Sequence, residues 1–403
     1  MISSGQSEEL YGRPHKRISL KWLAAGLLRL TNSAVFRRAT GPLCLLLVSA
    51  TLTAGLWPFC APRNQATWIP GENGLRFGEH GTALSWSTLP VPDGNPGCSL
   101  ELWVKPVKVW TTGTLFTLYN PQSRRQFSIE QDLTGLLLRV QMRRGHSVEA
   151  QKQLWVRDVF RRQHPLITVA SDGAKTTVYI DGQLATVARD FGLTSEDLAG
   201  QVILANSAFN DNSWEGEVNG LAIYRKELNA TEAQREYGSW MANGVPVPEQ
   251  AERAIAVYSF REHGGNLISN VISSHANLHI PKQFLVVDKL RFESPVSELH
   301  SAGSYLNNAI INVAGFVPLG FLLGLYFTTV RPVRRATLVT VIIGAAVSLA
   351  IEYFQSFLPT RYSGVTDLIT NTAGTWIGAT LSMRGASLVR SLLVRSSSEE
   401  SSP

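Results

Sequence analysis

The sequence predicts a mixed protein: an antiparallel β-sandwich outside the membrane, joined to an α-helical membrane bundle of about four transmembrane helices. Two apolar blocks, at 41–60 and 308–383, are long enough to cross a hydrocarbon core of roughly 30 Å. Between them run short stretches of alternating apolar and polar residues punctuated by Gly, Pro, Asn and Asp, the pattern of an antiparallel sheet pair. Basic residues gather beside the apolar blocks, so the net charge of +6 over 403 residues reads as membrane orientation and not as nucleic-acid affinity.

Residues 1–40 form a basic, cytoplasmic N-terminal segment carrying Arg13, Lys16, Arg17, Lys21, Arg29, Arg37 and Arg38. Ile18, Trp22, Leu23, Leu27 and Leu30 fall near helical spacing, which fits either a helix resting on the membrane surface or a solvated leader. Residues 41–60 are the first transmembrane helix. Pro58-Phe59-Cys60 is a poor cleavage or lipidation site, so the helix is read as a retained anchor. The basic residues before it place its N-terminus in the cytoplasm and send residues 61 to about 306 outside. Cys60 and Cys98 are the only cysteines that could meet there, because Cys44 lies within the anchor.

Residues 61–245 carry the strand pattern. Ser99–Pro106 puts Leu100, Leu102 and Val104 on one face and Glu101, Trp103 and Lys105 on the other. Ile167–Gly173 and Thr176–Gln183 read as two strands with Asp-Gly turns, hairpin chemistry that needs no calcium to explain it. LELWVKP at 100–106, GTLFTL at 113–118, TVYIDG at 177–182 and WEGEVNGLAIYRKEL from Trp214 to Leu228 occur in the order seen in the laminin-G-like, concanavalin A-like jelly rolls of lectins and glucanases, which this region resembles. The resemblance implies a curved two-sheet jelly roll whose relatives often bind sugars or proteins. Glucanases of that fold use alternate strand carboxylates, Glu-x-Asp-x-Glu, to aim an acid and a nucleophile into one cleft. Glu215 and Glu217 alternate but Asn219 ends the series, so no catalytic residue is assigned and the carboxylates are read as exposed. Sugar stacking needs exposed aromatic faces, for which Trp103, Trp110, Trp155 and Trp214 are candidates by residue type; core packing is the competing role for each.

Residues 246–306 are read as an appended external segment. Its three histidines, His263, His275 and His279, match no metal-ligand spacing, and neither metal nor cofactor is expected. A membrane domain follows at 307–385, with helices at about 309–330, 336–358 and 364–383, and residues 386–403 form a cytoplasmic tail. Arg331, Arg334 and Arg335 mark the loop between the first two as cytoplasmic, as Arg384, Arg390 and Arg395 mark the tail, which makes the protein multi-pass with both termini inside.

Within these helices sit Asn312, Glu352, Gln355, Asp367 and Asn371, with Arg361 in the loop between the last two helices. Polar side chains are costly in hydrocarbon and are retained with a partner or a task. Counted from the outer ends at about 1.5 Å per residue, they fall at one level, roughly 5 to 10 Å beneath the outer surface, as a polar pocket. Gly374-Thr-Trp-Ile-Gly378 and Gly320-Phe-Leu-Leu-Gly324 are GxxxG motifs that allow close helix approach. Asn312–Gly320, Ser348–Gln355, and Arg361 followed by Asp367–Gly374 resemble the three conserved blocks of the VanZ-like family of integral membrane proteins. That resemblance implies the bacterial inner membrane and the cell envelope and, for the namesake, resistance to a glycopeptide antibiotic. Structurally, the pocket could be a clasp in which Arg361 pairs Glu352 or Asp367, and Asn312 pairs Asn371. Functionally, it could hold a phosphate-bearing or lipid-linked envelope molecule, with Arg361 reading anionic oxygen. The expected partners are the bilayer, an envelope glycan or lipid-linked precursor, and a protein partner of the jelly roll, with no nucleic acid. The expected function is non-enzymatic; the alternative is a membrane enzyme using the outer-leaflet carboxylates on a lipid or glycan precursor.

Overall fold

The computed structural model describes residues 33–90, 97–145, 147–251, 253–292 and 302–399. The amphipathic pattern at 18–30 and most of the basic N-terminal segment therefore lie outside the described residues. Two compact units emerge, one of helices and one built on the sandwich; the sandwich unit also includes Glu352–Val365.

Two antiparallel eight-stranded sheets form the sandwich. The first contains β1 (Ala66–Trp68), β2 (Leu75–Phe77), β4 (Cys98–Pro106), β9 (Leu166–Ser171), β10 (Thr176–Ile180), β11 (Gln183–Ala188), β13 (Gly216–Tyr224) and β14 (Ala254–Tyr258). Its order is β1-β2-β13-β4-β9-β10-β11, with β14 also paired to β13. The second contains β3 (Ala83–Ser85), β5 (Thr112–Asn120), β6 (Arg125–Asp132), β7 (Gly135–Arg144), β8 (Ser147–Val156), β12 (Gln201–Leu204), β15 (Leu267–Ile268) and β16 (Leu278–His279). It runs β15-β16-β3-β12-β5-β6-β7-β8. Leu100, Leu102 and Val104 face the shared core, as the alternation predicts, and meet Phe127, Ile129, Leu136 and Leu138 from the opposite sheet. The turn joining β10 to β11 uses Asp181 at φ 55° and Gly182 at φ 72°, the left-handed pair that a two-residue hairpin requires.

The 246–306 segment, read as an appendage of the sandwich, contributes strands to it. Its strands enter both sheets, β14 beside β13 and β15–β16 beside β3, so the sandwich extends well past residue 245.

Helix α1 is the first membrane-length segment, Ala34–Leu56, capped by Ser33, whose side chain accepts from the Phe36 N–H. It starts earlier than the predicted 41, taking in Arg37 and Arg38, and it ends at Leu56 instead of 60. On the first sheet, α2 (Ala230–Asn243) begins in a capping box between Asn229 and Glu232. It covers the outer face, packing Trp240 and Ala233 on Tyr224, Leu228 and Trp103. Beneath α2, the buried Glu101 accepts hydrogen bonds from Trp240 Nε1 and Tyr224 Oη, each at 2.8 Å. Burial raises both Glu101 and the nearby Glu236, and the charge of Glu101 pushes Glu236 further the same way.

Three longer helices follow in the described residues: α3 (Ala302–Leu325), which ends in a π-turn at Tyr326–Val330, α4 (Ala336–Gln355) and α5 (Val365–Glu399). Among the described residues, three segments have both the length and the apolarity to span: Ala34–Leu56, Leu306–Val330 and Ala336–Gln355. The fourth predicted span, 364–383, belongs to the 35-residue α5, which continues beyond it. Its opening Thr366, Asp367, Thr370, Asn371, Thr372 and Thr375 lower its apolarity. Cys44 of α1, Phe316, Leu319 and Leu323 of α3, and Val347 and Ile351 of α4 make the bundle core.

Candidate functional site

On the sandwich, the four candidate tryptophans part ways. Trp214 is fully buried, with Nε1 donating to Gln131 Oε1 at 2.7 Å, so it is a core residue and leaves the stacking set. Trp103 is half-buried, tilted against Trp240 beneath α2. Trp110 and Trp155 are exposed, at 70% and 48%. Sequence spacing could not separate them, because a strand tryptophan's partner lies on another strand.

The two exposed rings flank one turn. The Gln131 amide, itself buried, donates to the carbonyls of Lys108, Val109 and Leu133 at 2.9, 2.9 and 3.0 Å, pinning the loop that carries Trp110 to the β6–β7 turn. Leu133 N donates to Thr111 O at 2.8 Å from the same turn. Directly after it, Gly135 lies under Trp155: a Cβ there would sit 2.6 Å from the ring nitrogen, so the bare backbone supports the indole. The Arg157 guanidinium lies 5.8 Å from the Trp155 ring centre. Val107, Val109 and Leu133 are exposed beside them, completing an apolar rim held by backbone hydrogen bonds.

Polar groups continue along the outer face of the second sheet from this rim. Arg139 pairs Glu130 at 3.0 Å, Ser128 Oγ donates to Glu130 Oε1 at 2.7 Å, and Gln126 Oε1 accepts from Ala208 N at 3.1 Å. Arg139 Nε is buried without a hydrogen-bond partner. On the other sheet, Glu215 pairs Lys108 at 2.6 Å, and Glu217 pairs Arg76 at 2.7 Å and Lys105 at 3.4 Å. Glu217 is buried and not exposed as expected, and these ion pairs account for both carboxylates. Cys60 and Cys98 are free thiols, exposed and buried respectively.

Asn312 and Asn371 each find a partner other than one another. In the helical unit, Asn312 Nδ2 donates to Asp367 Oδ1 at 2.6 Å, joining α3 to α5. Asn371 Nδ2 donates to Ser348 Oγ at 3.0 Å, joining α5 to α4, so the expected Asn312–Asn371 pair is replaced by two separate bonds. Asn371 Oδ1, Thr340 Oγ1 and Thr366 Oγ1 are buried without partners. In the sandwich unit, Glu352 Oε2 accepts from Gly364 N at 3.1 Å, and the Gln355 carbonyl accepts from Lys289 Nζ at 3.0 Å. Arg361 N donates to Leu358 O at 3.2 Å within the turn that follows α4.

Asp288, Lys289 and Arg291, within the segment read as an external appendage, stand outside the expected site residues. Asp288 accepts from Tyr119 Oη at 2.5 Å and Arg124 Nε at 2.8 Å, while its N–H donates to Ala208 O at 2.8 Å. Leu285, Val287 and Leu290 of the same segment pack on Leu84, Tyr119 and Ile203. Among the described residues there is no cluster of His, Cys, Asp and Glu that could hold a metal ion.

Residues 254–389 match the VanZ/LLP1 family, and residues 78–234 match the concanavalin A-like lectin/glucanases superfamily. No curated protein shows significant similarity to the chain. Among solved structures, it is similar to the native heptameric SAP-like pentraxin from Limulus polyphemus, at 14% identity and TM-score 0.29 over 44% of this chain and 80% of that one. It is also similar to the binding domain of Paraclostridial Mosquitocidal Protein 1, at 11% identity and TM-score 0.34 over 46% and 48%. A third is the binding domain of botulinum neurotoxin DC in complex with SialylT, at 11% identity and TM-score 0.32 over 45% and 47%. The chain spans about half the length of these two binding-domain chains. A concanavalin A-like sandwich and a VanZ/LLP1 segment thus occupy one chain, and its apolar membrane-length helices mark a membrane protein.

Proposed function

We propose that this is a non-enzymatic cell-envelope protein, whose sandwich binds glycan at the Trp110–Trp155 rim and whose VanZ/LLP1 segment engages a lipid-linked envelope component. The observation that carries the first half is the pair of exposed indoles fixed around one turn. A pyranose face stacks on an aromatic ring, and a ring held by Gly135 and Gln131 loses little freedom on binding. Hydroxyl groups of the sugar would then meet Arg139, Glu130 and Arg157, planar or forked groups suited to paired hydrogen bonds. The lectin relatives of the matched superfamily support the same ligand class. Positive charge at Arg37 and Arg38 before α1, and at Arg331, Arg334 and Arg335 between α3 and α4, supports a sandwich on the outer side of a bacterial inner membrane.

The test is a glycan array probed with detergent-purified full-length protein. Trp155→Ala and Trp110→Ala should each weaken retention of the bound glycan by roughly tenfold. Wild-type protein that retains no glycan, or a double variant that binds as well as wild type, would reject the glycan reading. In the first case the apolar rim would be assigned to a protein partner.

A further inference from the structure

We infer that the sandwich unit holds an anion site for a phosphate or pyrophosphate group, in a cleft between the 283–291 segment and the turn that follows α4. This rests on the lipid-linked half of the proposed function and names the site and chemistry that would serve it. The cleft has a volume of about 590 Å³, inside the range of roughly 300 to 1,000 Å³ usual for small-molecule sites. It would admit a diphosphate with an attached sugar.

Its charged lining is Arg124, Lys289 and Arg291 against the single carboxylate of Asp288, an excess of two positive charges. Asp288 is already engaged by Arg124 Nε and Tyr119 Oη, so it does not oppose an incoming anion with a free charge. Lys289 Nζ donates to the carbonyls of Gln355 and Leu358, which fixes its ammonium at the cleft wall. The Arg291 guanidinium lies 4.9 Å over the Phe357 ring and, among the described residues, forms no ion pair. Stacking of this kind orients the guanidinium while its N–H edge stays available for bidentate contact with phosphate oxygens.

Chain connectivity favours a lipid-borne phosphate over a soluble one. Ser356 follows directly on Gln355, the last residue of the membrane-length α4, so that wall of the cleft starts where the helix ends. Tyr353, Phe354 and Phe357 around that end are all exposed, as are the aromatic residues that settle at a bilayer–water boundary. A polyprenyl chain could remain in the bilayer while its phosphate reaches Arg291 and Lys289.

The test compares full-length protein in phosphatidylcholine nanodiscs with and without a polyprenyl phosphate, and separately titrates inorganic pyrophosphate onto the plain nanodiscs. Ligand retention by wild type, weakened roughly tenfold or more in Arg291→Glu, is expected. Retention of polyprenyl phosphate alone assigns the site to a lipid, and retention of pyrophosphate alone assigns it to a soluble anion; both support an anion site. Arg291→Gln, a shorter neutral side chain that introduces no opposing charge, separates lost charge from lost folding, because it should weaken binding with an unchanged unfolding midpoint. Failure to bind either probe, or an Arg291→Glu protein that binds both as wild type does, would overturn the inference. Glycan retention by the same preparations is read in parallel, so loss of the anion site with an intact Trp110–Trp155 rim refutes this inference alone.

Discussion

Gly378→Leu is expected to abolish accumulation of folded protein. A Cβ at Gly378 would lie 2.1 Å from the Val317 carbonyl oxygen, and one at Gly374 would lie 2.3 Å from that of Val313. From the other helix, a Cβ at Gly320 would sit 2.1 Å from the Thr375 carbonyl oxygen. The two GxxxG motifs therefore pack α3 and α5 backbone against backbone, where no side-chain rotamer can absorb an added atom. Overpacking that side chains can accommodate costs roughly 1 to 3 kcal/mol, and separation of two backbones should exceed it. It would also pull Asn312 from Asp367, stranding two polar groups in the bundle. Gly315→Leu is the control, since nothing lies within 4 Å of a Cβ at that exposed position. Yield of monodisperse protein and the unfolding midpoint in detergent are the readouts. Equal behaviour of the two variants would refute the close α3–α5 contact.

Trp214→Ala is expected to destabilise the sandwich by about 3 to 5 kcal/mol, the usual range for deleting a buried aromatic side chain. The ring has no exposed surface and lies against Gly216, where a Cβ would come within 2.0 Å of it. Its loss would also leave Gln131 Oε1 without its indole donor. Because Gln131 pins the Trp110 loop, glycan binding should weaken together with stability. Trp214→Phe retains most of the packing and removes the hydrogen bond, so it should cost less stability while still loosening the loop. Full glycan binding in Trp214→Ala at a temperature where the protein remains folded would show that the rim is positioned by something else.

What the sequence made legible follows from how local each cause is. The inward face of β4, the Asp181-Gly182 turn and the two GxxxG motifs depend on neighbouring residues, and each appears as expected. The concanavalin A-like and VanZ-like resemblances also rest on contiguous blocks, and they match at 78–234 and 254–389. Contacts between distant residues were hidden. Nothing near Trp214 reveals that Gln131 reaches its indole across 83 positions. Asn312 finds Asp367 in place of Asn371, although both lie on one stripe of α5, because the depth of α3 against α5 is set by glycine contacts. Likewise, the short strands of residues 254–279 pair with β13 and, far earlier in the chain, with β3.

Glycan capture from the envelope requires the sandwich on the outer side of the membrane, and the native cysteines allow that to be measured without engineering. Of the three, Cys44 and Cys98 are buried, and Cys60, four residues beyond the end of α1, is exposed. A membrane-impermeant maleimide applied to intact spheroplasts should therefore label Cys60, with no gain on lysis and no label in Cys60→Ser. Labelling that appears only after lysis would put the sandwich in the cytoplasm and contradict the account.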